Sequence, residues 1–190
     1  LALALVLVAL PAQAQTDSTS DETAWTATRP GIETRELHGG TVRAFRLDLE
    51  KVKLTASQRK NGGVVSDFTT GSDTLLAING NFFDPQYRTQ GLLLVDGKRL
   101  SRLKRADWGV FSVRKRKGAI VHTRQWEPKS EGKLEFAVQC GPRLVVDGRV
   151  LKLKAQWARR TAIGVEKNSR YIHLVVVNES ISTSELAQMM

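Results

Sequence analysis

Apolar positions along the chain gather into short runs of strand length, divided by glycine, asparagine and aspartate, and helical periodicity is rare. Residues 42–49 show mixed alternation and predict a strand, continued by a second at 52–56. Gly62-Gly63 breaks the pattern, residues 64–70 suit one short helical turn, and 74–78 is an unbroken apolar run expected to be buried on both faces. Further strands are expected at 108–113, 119–123, 134–140, 161–165 and 171–177. Residues 91–100 and 141–151 share one plan, an apolar run, an Asp-Gly pair and a return run, which is the strongest short signal for a hairpin with a type I′ turn. Two copies do not make a solenoid. Ser182-Thr183-Ser184-Glu185 reads as a capping box opening a helix over 186–190. The pattern as a whole predicts one α+β domain over residues 31–190, strand-rich, with a mixed sheet, hairpins and a few short helices, truncated at its C-terminus.

The chain begins differently. Leu1 to Leu10 are all apolar, and Pro11-Ala12-Gln13-Ala14 places small residues before a cut after Ala14, so residues 1–14 read as part of a secretory signal peptide. A strand or core helix is the alternative for the same run. Residues 15–30, rich in Thr, Ser, Asp and Ala, read as a flexible lead-in. A leader implies a periplasmic or secreted protein.

Composition narrows the class. With 190 residues, 41% hydrophobic and 25% charged, the chain is a folded domain rather than a disordered tail, coiled coil or collagen-like rod. Lys and Arg number 29 against 19 Asp and Glu, a net charge of +10, which favours an anionic polysaccharide or a membrane surface as partner. Residues 98–117 hold nine basic residues and one acidic, Asp107, a pattern expected of a solvated hairpin face. Nucleic acid is disfavoured because the leader takes the protein out of the cytoplasm. The lone cysteine, Cys140, excludes an internal disulfide.

Chemistry concentrates at three places. Asn79-Gly80-Asn81-Phe82-Phe83-Asp84-Pro85 gathers amides and a carboxylate after an apolar strand, Gln139-Cys140-Gly141-Pro142 closes another, and Arg159-Arg160-Thr161-Ala162-Ile163-Gly164 opens a third. Each alone is a turn or a surface group. Together, Ala77 to Phe83, the Gly91 hairpin, Gln139 to Leu144, Arg160 to Val165 and Leu174 to Val177 resemble, in consistent order over about residues 30–190, the phosphodiester glycosidase family, which includes the lysosomal uncovering enzyme. The resemblance implies a hydrolase that cleaves a sugar-1-phosphodiester on a glycan or sugar-phosphate; no cofactor is expected, and no metal, since the oxygen ligands gathered at the Asn79 to Asp84 turn are too few. It implies that Asn79, Asn81, Phe83, Gln139 and Gly141 bind substrate and that Arg160 grips the phosphate through paired donors. Asp84 and Glu166 are the nearest carboxylates to the matched motifs and are the catalytic candidates. Family members continue into a Leu-Asp-Gly-Gly segment of the active-site region, which this chain, ending at Met190, lacks, so the fragment is expected to be inactive. Cys140 is expected to be structural, since His38, His122 and His173 lie in unrelated contexts. The alternative is a non-catalytic cationic protein of the same fold that binds a glycan or the cell envelope.

Overall fold

Short turns dictate the architecture, because a two-residue connection can join only antiparallel neighbours. The computed structural model describes residues 3–9, 24–59, 61–69, 71 and 73–190, and the side chains from residue 24 onward. The expected cleavage site and residues 15–23 of the lead-in lie outside the described residues.

The first strand, β1 (Leu3–Ala9), is followed by a hairpin of β2 (Thr26–Arg29) and β3 (Ile32–Leu37). Its turn requires Gly31, which has φ 78 and where a Cβ would lie 2.6 Å from the Lys51 Cβ. Next come β4 (Val42–Asp48), β5 (Val52–Gln58), a 3-10 turn at Val65–Phe68 and β6 (Thr74–Asn79). The two-residue strands β7 (Phe82–Phe83) and β8 (Thr89–Gln90) pair with each other. They lead into β9 (Leu93–Val95), β10 (Lys98–Ser101), β11 (Gly109–Arg114), β12 (Lys117–His122) and β13 (Phe136–Cys140). A small hairpin of β14 (Val145–Val146) and β15 (Arg149–Val150) precedes the long β16 (Trp157–Val165) and β17 (Tyr171–Ser182), and α1 (Thr183–Met189) follows directly.

Two five-stranded sheets face each other. Sheet I has the order β16-β17-β4-β3-β2 and sheet II the order β10-β9-β13-β11-β12. Sheet I contributes Ile32, Leu47, Ile172 and Leu174 to the central core, and sheet II contributes Leu93, Phe111, Val113, Phe136 and Val138. Val52, Leu54 and Ile78 join them from the flanking three-stranded sheet, ordered β5-β1-β6. Each large sheet is also covered on its second face. Val42, Ala44, Val175 and Val177 pack with Ile181 and with Leu186 of α1. Leu92, Leu94, Val110 and Ala137 pack with Leu134. Beneath that second cover the buried Glu131 carboxylate accepts from the Trp126 indole at 2.8 Å and the Arg99 Nε at 2.7 Å.

The class is therefore mainly β, not the expected α+β: strand makes up 51% of the described residues and helix 12%. The capping box forms as read, with Ser182 Oγ accepting from the Glu185 N–H at 3.1 Å and Glu185 Oε2 from the Ser182 N–H at 2.9 Å. It opens the only α-helix among the described residues, while the other helical segments are 3-10 turns at Val65–Phe68, Thr123–Gln125 and Pro128–Lys133. The sheets are not mixed either, since every described strand pairing is antiparallel. Residues 74–78, expected to be buried on both faces, are mostly half-exposed and only Ile78 is buried, because the small sheet that holds them packs on the core with one face. The last part of the lead-in is ordered as β2.

Strand β1 runs between β5 and β6, with Leu7 opposite both Leu54 and Leu76. The pairing belongs to the uncut chain and does not bear on whether residues 1–14 are removed during export.

Both Asp-Gly turns have the expected positive φ at both positions, 47 and 74 at Asp96-Gly97, 51 and 73 at Asp147-Gly148. The β11–β12 turn uses the same geometry at Lys115 (φ 51) and Arg116 (φ 60), two residues that pay for it in strain. Arg116 is compensated by its N–H bond to Glu135 Oε1 at 2.9 Å and by its guanidinium reaching the Val52 carbonyl at 3.3 Å. Lys115 has no such bond. Lys115→Asn is therefore expected to stabilise the fold by about 0.5–1 kcal/mol, raising Tm by roughly 1–4 °C. A thermal melt checks this, and an unchanged or lower Tm would show that the turn carries no strain.

Candidate functional site

Strands β6, β11, β12 and β13 end or begin at one edge of the molecule, and the residues there come from all three sequence motifs. Asn79 ends β6, and its Oδ1 accepts a 2.6 Å hydrogen bond from the Thr161 hydroxyl of β16. The pair sits at the mouth of a recess walled by Ala56, Ile78, Leu93, Phe136, Val138 and Leu174, with Cys140 and Gly80 beside it. The recess holds about 40 Å³, room for a few waters. Ligand pockets measure roughly 300–1,000 Å³, so the recess itself is too small to enclose a ring-sized ligand.

Three features shape that rim. Asn81 is only 6% exposed, and neither its Oδ1 nor its Nδ2 has a hydrogen-bond partner among the described residues. An amide buried in this way costs about 1–3 kcal/mol, which a bound hydroxyl or amide would recover. Next to it Phe82 is exposed and packs on Trp108 with ring centroids 5.0 Å apart, while Phe83 stacks on Tyr87 at 6.1 Å. Gly141 makes the Trp108 position possible: a Cβ there would lie 2.6 Å from the Trp108 Cγ. Lys104 Nζ lies 5.3 Å from the same ring.

Gln139, expected to bind substrate, has no exposed surface. Its Oε1 accepts from the Leu92 N–H at 3.0 Å and the Lys104 N–H at 2.9 Å. Its Nε2 donates to the Lys104 carbonyl at 2.7 Å and to Thr123 Oγ1 at 3.1 Å. Both acceptor sites and both donors of the amide are used. Gln139 thus serves the rim by holding the 104–108 segment that carries Trp108. Cys140 follows it, and burial pushes its thiol up to about 11, so near neutral pH it is a protonated, poor nucleophile, as expected for a structural residue.

The two carboxylate candidates stand apart. Asp84 closes its own turn, its Oδ1 accepting from the Gln86 and Arg88 N–H groups and its Oδ2 from Arg88 Nε at 2.7 Å. The Arg88 backbone N–H, followed by the Arg88 guanidinium, holds the Asp84 carboxyl below the usual carboxylate range. Glu166 accepts from Arg46 Nε at 2.8 Å and contacts His173 Nε2 at 2.9 Å. Burial works to raise the Glu166 carboxyl, but His173 and Arg46 outweigh it and hold it low. It lies five residues beyond Thr161, about 16 Å along extended chain.

Arg160 and Thr161 are neighbours in β16, so their side chains take opposite faces. Thr161 faces Asn79, and the alternation sends Arg160 to the other side, where its Nη2 donates to the Gln156 carbonyl at 2.7 Å and its buried Nε has no partner. Among the described residues no group of three or more His, Cys, Asp and Glu is arranged to hold a metal ion.

Residues that sequence reasoning passed over also stand at this edge. Asp107, His122, Arg124, Gln125 and Arg143 line an open cleft. Of these only Arg143 falls within a matched motif, Gln139 to Leu144, and it was not singled out. The signal that could have found them is the register, which sets Gly109 opposite both His122 and Cys140 and so brings their neighbours together.

The sequence pattern of the family described as phosphodiester glycosidase matches residues 72–190. An uncharacterized protein of Escherichia coli (strain K12), YigE, is 27% identical over 157 residues, covering 71% of this chain and 61% of that protein. The chain therefore spans less than two thirds of that relative's length.

Gln139→Ala is expected to strand four buried groups at once and to cost about 3 kcal/mol, the sum of several net hydrogen bonds. Tm should fall by roughly 6–12 °C, and the fluorescence of Trp108 should shift as its segment loosens. A melt within 2 °C of the parent, about half a kcal/mol, would show that the amide is not the anchor.

Proposed function

The chain belongs to the phosphodiester glycosidase family, and from that premise we propose that the protein hydrolyses a sugar-1-phosphodiester whose sugar lies on the rim formed by Asn79, Asn81, Phe82 and Trp108. The observation that carries this reading is the buried, unpartnered Asn81 amide beside exposed aromatic rings. Sugars offer hydroxyls to such an amide and flat C–H faces to such rings, while the small recess excludes a ring from the interior.

The leaving group of the reaction is a phosphate monoester, stable as an anion, so it calls for cations more than for a strong general acid. Asp84 suits a base or electrostatic part, being ionised at neutral pH and following directly on Phe82 and Phe83. Glu166, held ionised by Arg46 and His173 at the far turn of β16, suits a structural part. That both carboxyls are held low favours, as a second reading, a glycan-binding protein without turnover.

In a form of the protein that continues past Met190 through the active-site segment the resemblance implies, the near-isosteric Asn81→Leu is expected to lower kcat/KM towards an N-acetylglucosamine-1-phosphodiester by roughly thirtyfold or more, from about 2 kcal/mol of lost hydrogen bonding. Its Tm should be unchanged or higher, because an unpaired buried amide is removed. Reducing-sugar release and thermal melts measure the two effects. Equal activity in both proteins would sink the assignment of Asn81, and sugar binding without release would select the second reading.

The leader-like start and Ala12-Gln13-Ala14 support export to the periplasm or beyond. No described helix is long and apolar enough to cross a membrane. The mass of the protein recovered outside the cytoplasm should correspond to a start near Gln15. Cytoplasmic protein that keeps residues 1–14 would refute export.

A further inference from the structure

The cleft lined by Asp107, His122, Arg124, Gln125 and Arg143 shares an edge with the rim but takes no part in the reading above. We propose that it binds an oxyanion carried by the glycan, a phosphate or a carboxylate, on a unit next to the one held by Asn81. The proposal rests on the glycan reading of the rim.

Two arginines line the cleft, and among the described residues neither is tied into an ion pair within 4 Å, as some arginines elsewhere are. Arg43, Arg46, Arg88, Arg99, Arg116 and Arg170 are all within 4 Å of carboxylates. Arg124 and Arg143 make no side-chain hydrogen bond and no such ion pair with any described residue, and both lie close enough to Asp107 to help His122 hold its carboxyl low. That carboxylate is engaged elsewhere, its Oδ1 lying 2.6 Å from His122 Nε2.

His122 acts as a clamp. Its Nδ1 accepts the Arg124 N–H at 3.0 Å, and its Nε2 lies 2.6 Å from Asp107 Oδ1, so both ring nitrogens are engaged within the cleft. The clamp fixes the turn from which Arg124 projects. The next residue back, Thr123, is pinned through its N–H and Oγ1 to the Trp108 carbonyl at 3.0 and 2.9 Å, and its Oγ1 also accepts from Gln139. Arg143 is placed with similar economy. Its stem crosses Gly109, where a Cβ would come within 3.0 Å of Arg143 Cγ. Two guanidiniums on fixed supports, opposed by one carboxylate already bonded, leave a local excess of positive charge with the planar donor geometry that oxyanions accept.

Continuity with the rim follows from the sheet. Trp108 precedes Gly109, faces Phe82 at 5.0 Å and covers Gly141, so one aromatic surface leads from Asn81 to Arg143. A glycan bearing an anionic group could lie along it with the charge at the arginines. This also supplies the cations that Arg160, turned to the opposite face of β16, does not bring to the rim.

The test is calorimetric binding of three oligosaccharides to the full chain: a mannan bearing 6-phosphates, an oligogalacturonate and an unsubstituted mannan. The double variant Arg124→Gln/Arg143→Gln is compared with the charge-matched Arg114→Gln/Lys117→Gln, which changes the exposed far end of the same hairpin. Thermal melts confirm folding. The cleft variant should lose at least tenfold in affinity for one or both anionic oligosaccharides and the control less than threefold, with the neutral mannan unaffected by either. Whichever anionic oligosaccharide responds identifies phosphate or carboxylate. Equal losses in both variants, or no binding of either anionic oligosaccharide by the parent, would overturn the proposal. So would an equal tenfold loss towards a single-stranded oligodeoxynucleotide, which would mark a general phosphate-backbone site. Binding that depends on the two arginines, with no sugar released even by a form that continues past Met190 through the active-site segment, would leave the cleft standing and remove the hydrolase reading.

Discussion

One buried amide organises the functional edge. Gln139 spends its whole hydrogen-bonding capacity on three segments that no strand ladder joins there: the entry to β9 at Leu92, the loop at Lys104 and the 3-10 turn at Thr123. In a low-dielectric interior such a network is strong only if complete. The completeness constrains its neighbours, since Gly91, at φ 117, passes so close that a Cβ would lie 3.0 Å from Gln139 Oε1. Through Thr123 the same amide reaches Trp108, and through Trp108 it reaches Phe82 and Gly141. The aromatic rim and the arginine cleft are thus two outcomes of one side chain's bonding.

Above that anchor, the two-sheet architecture explains why helix is scarce. Each large sheet is apolar on both faces, and most of its second face is covered by short 3-10 turns or by one two-turn helix rather than by crossover helices. Antiparallel hairpins need no crossover, so a chain built from them has no use for the βαβ units that would have made it α/β or the helical layer that would have made it α+β. Ion pairs lock the ends: Arg170 grips the buried Asp48 carboxylate through two bonds, at 2.8 and 2.5 Å, tying the β16–β17 turn to the end of β4.

What could be read from the chain depended on whether the signal was local. Asp96-Gly97 and Asp147-Gly148 declare their turns, and Ser182 with Glu185 declares the helix start, because in each the residues that interact are within three of one another. The Lys115-Arg116 turn was silent since neither residue favours positive φ, and its support comes from Glu135 and Val52, far along the chain. Strand β2 hides in a Thr- and Ser-rich stretch that is exposed throughout. The helical share was overestimated because a good cap marks where a helix begins and not how much of the fold is helical. At the site, the Asn-Gly-Asn and Gln-Cys-Gly-Pro motifs did come to one edge. Gln139's true neighbours, lying 16 to 47 residues away, could not be seen. Strand alternation alone could have shown that Arg160 and Thr161 face apart, and the same rule leaves one of them to the rim.

The placement of β1 has a mechanical side. Antiparallel strands stand about 4.8 Å apart, so β5 and β6, each bonded to β1, are held roughly 10 Å from each other. A cut after Ala14 would take out the middle member and leave two rows of unpaired N–H and C=O groups facing across a gap one strand wide. Asn79 ends one of those rows. A processed protein would have to bring β6 towards β5 by a full strand spacing, moving Asn79 relative to Thr161, or admit another extended segment into the gap. While β1 is in place it is the spacer between β5 and β6, and Asn79, opposite Ala4, stands where that pairing sets it.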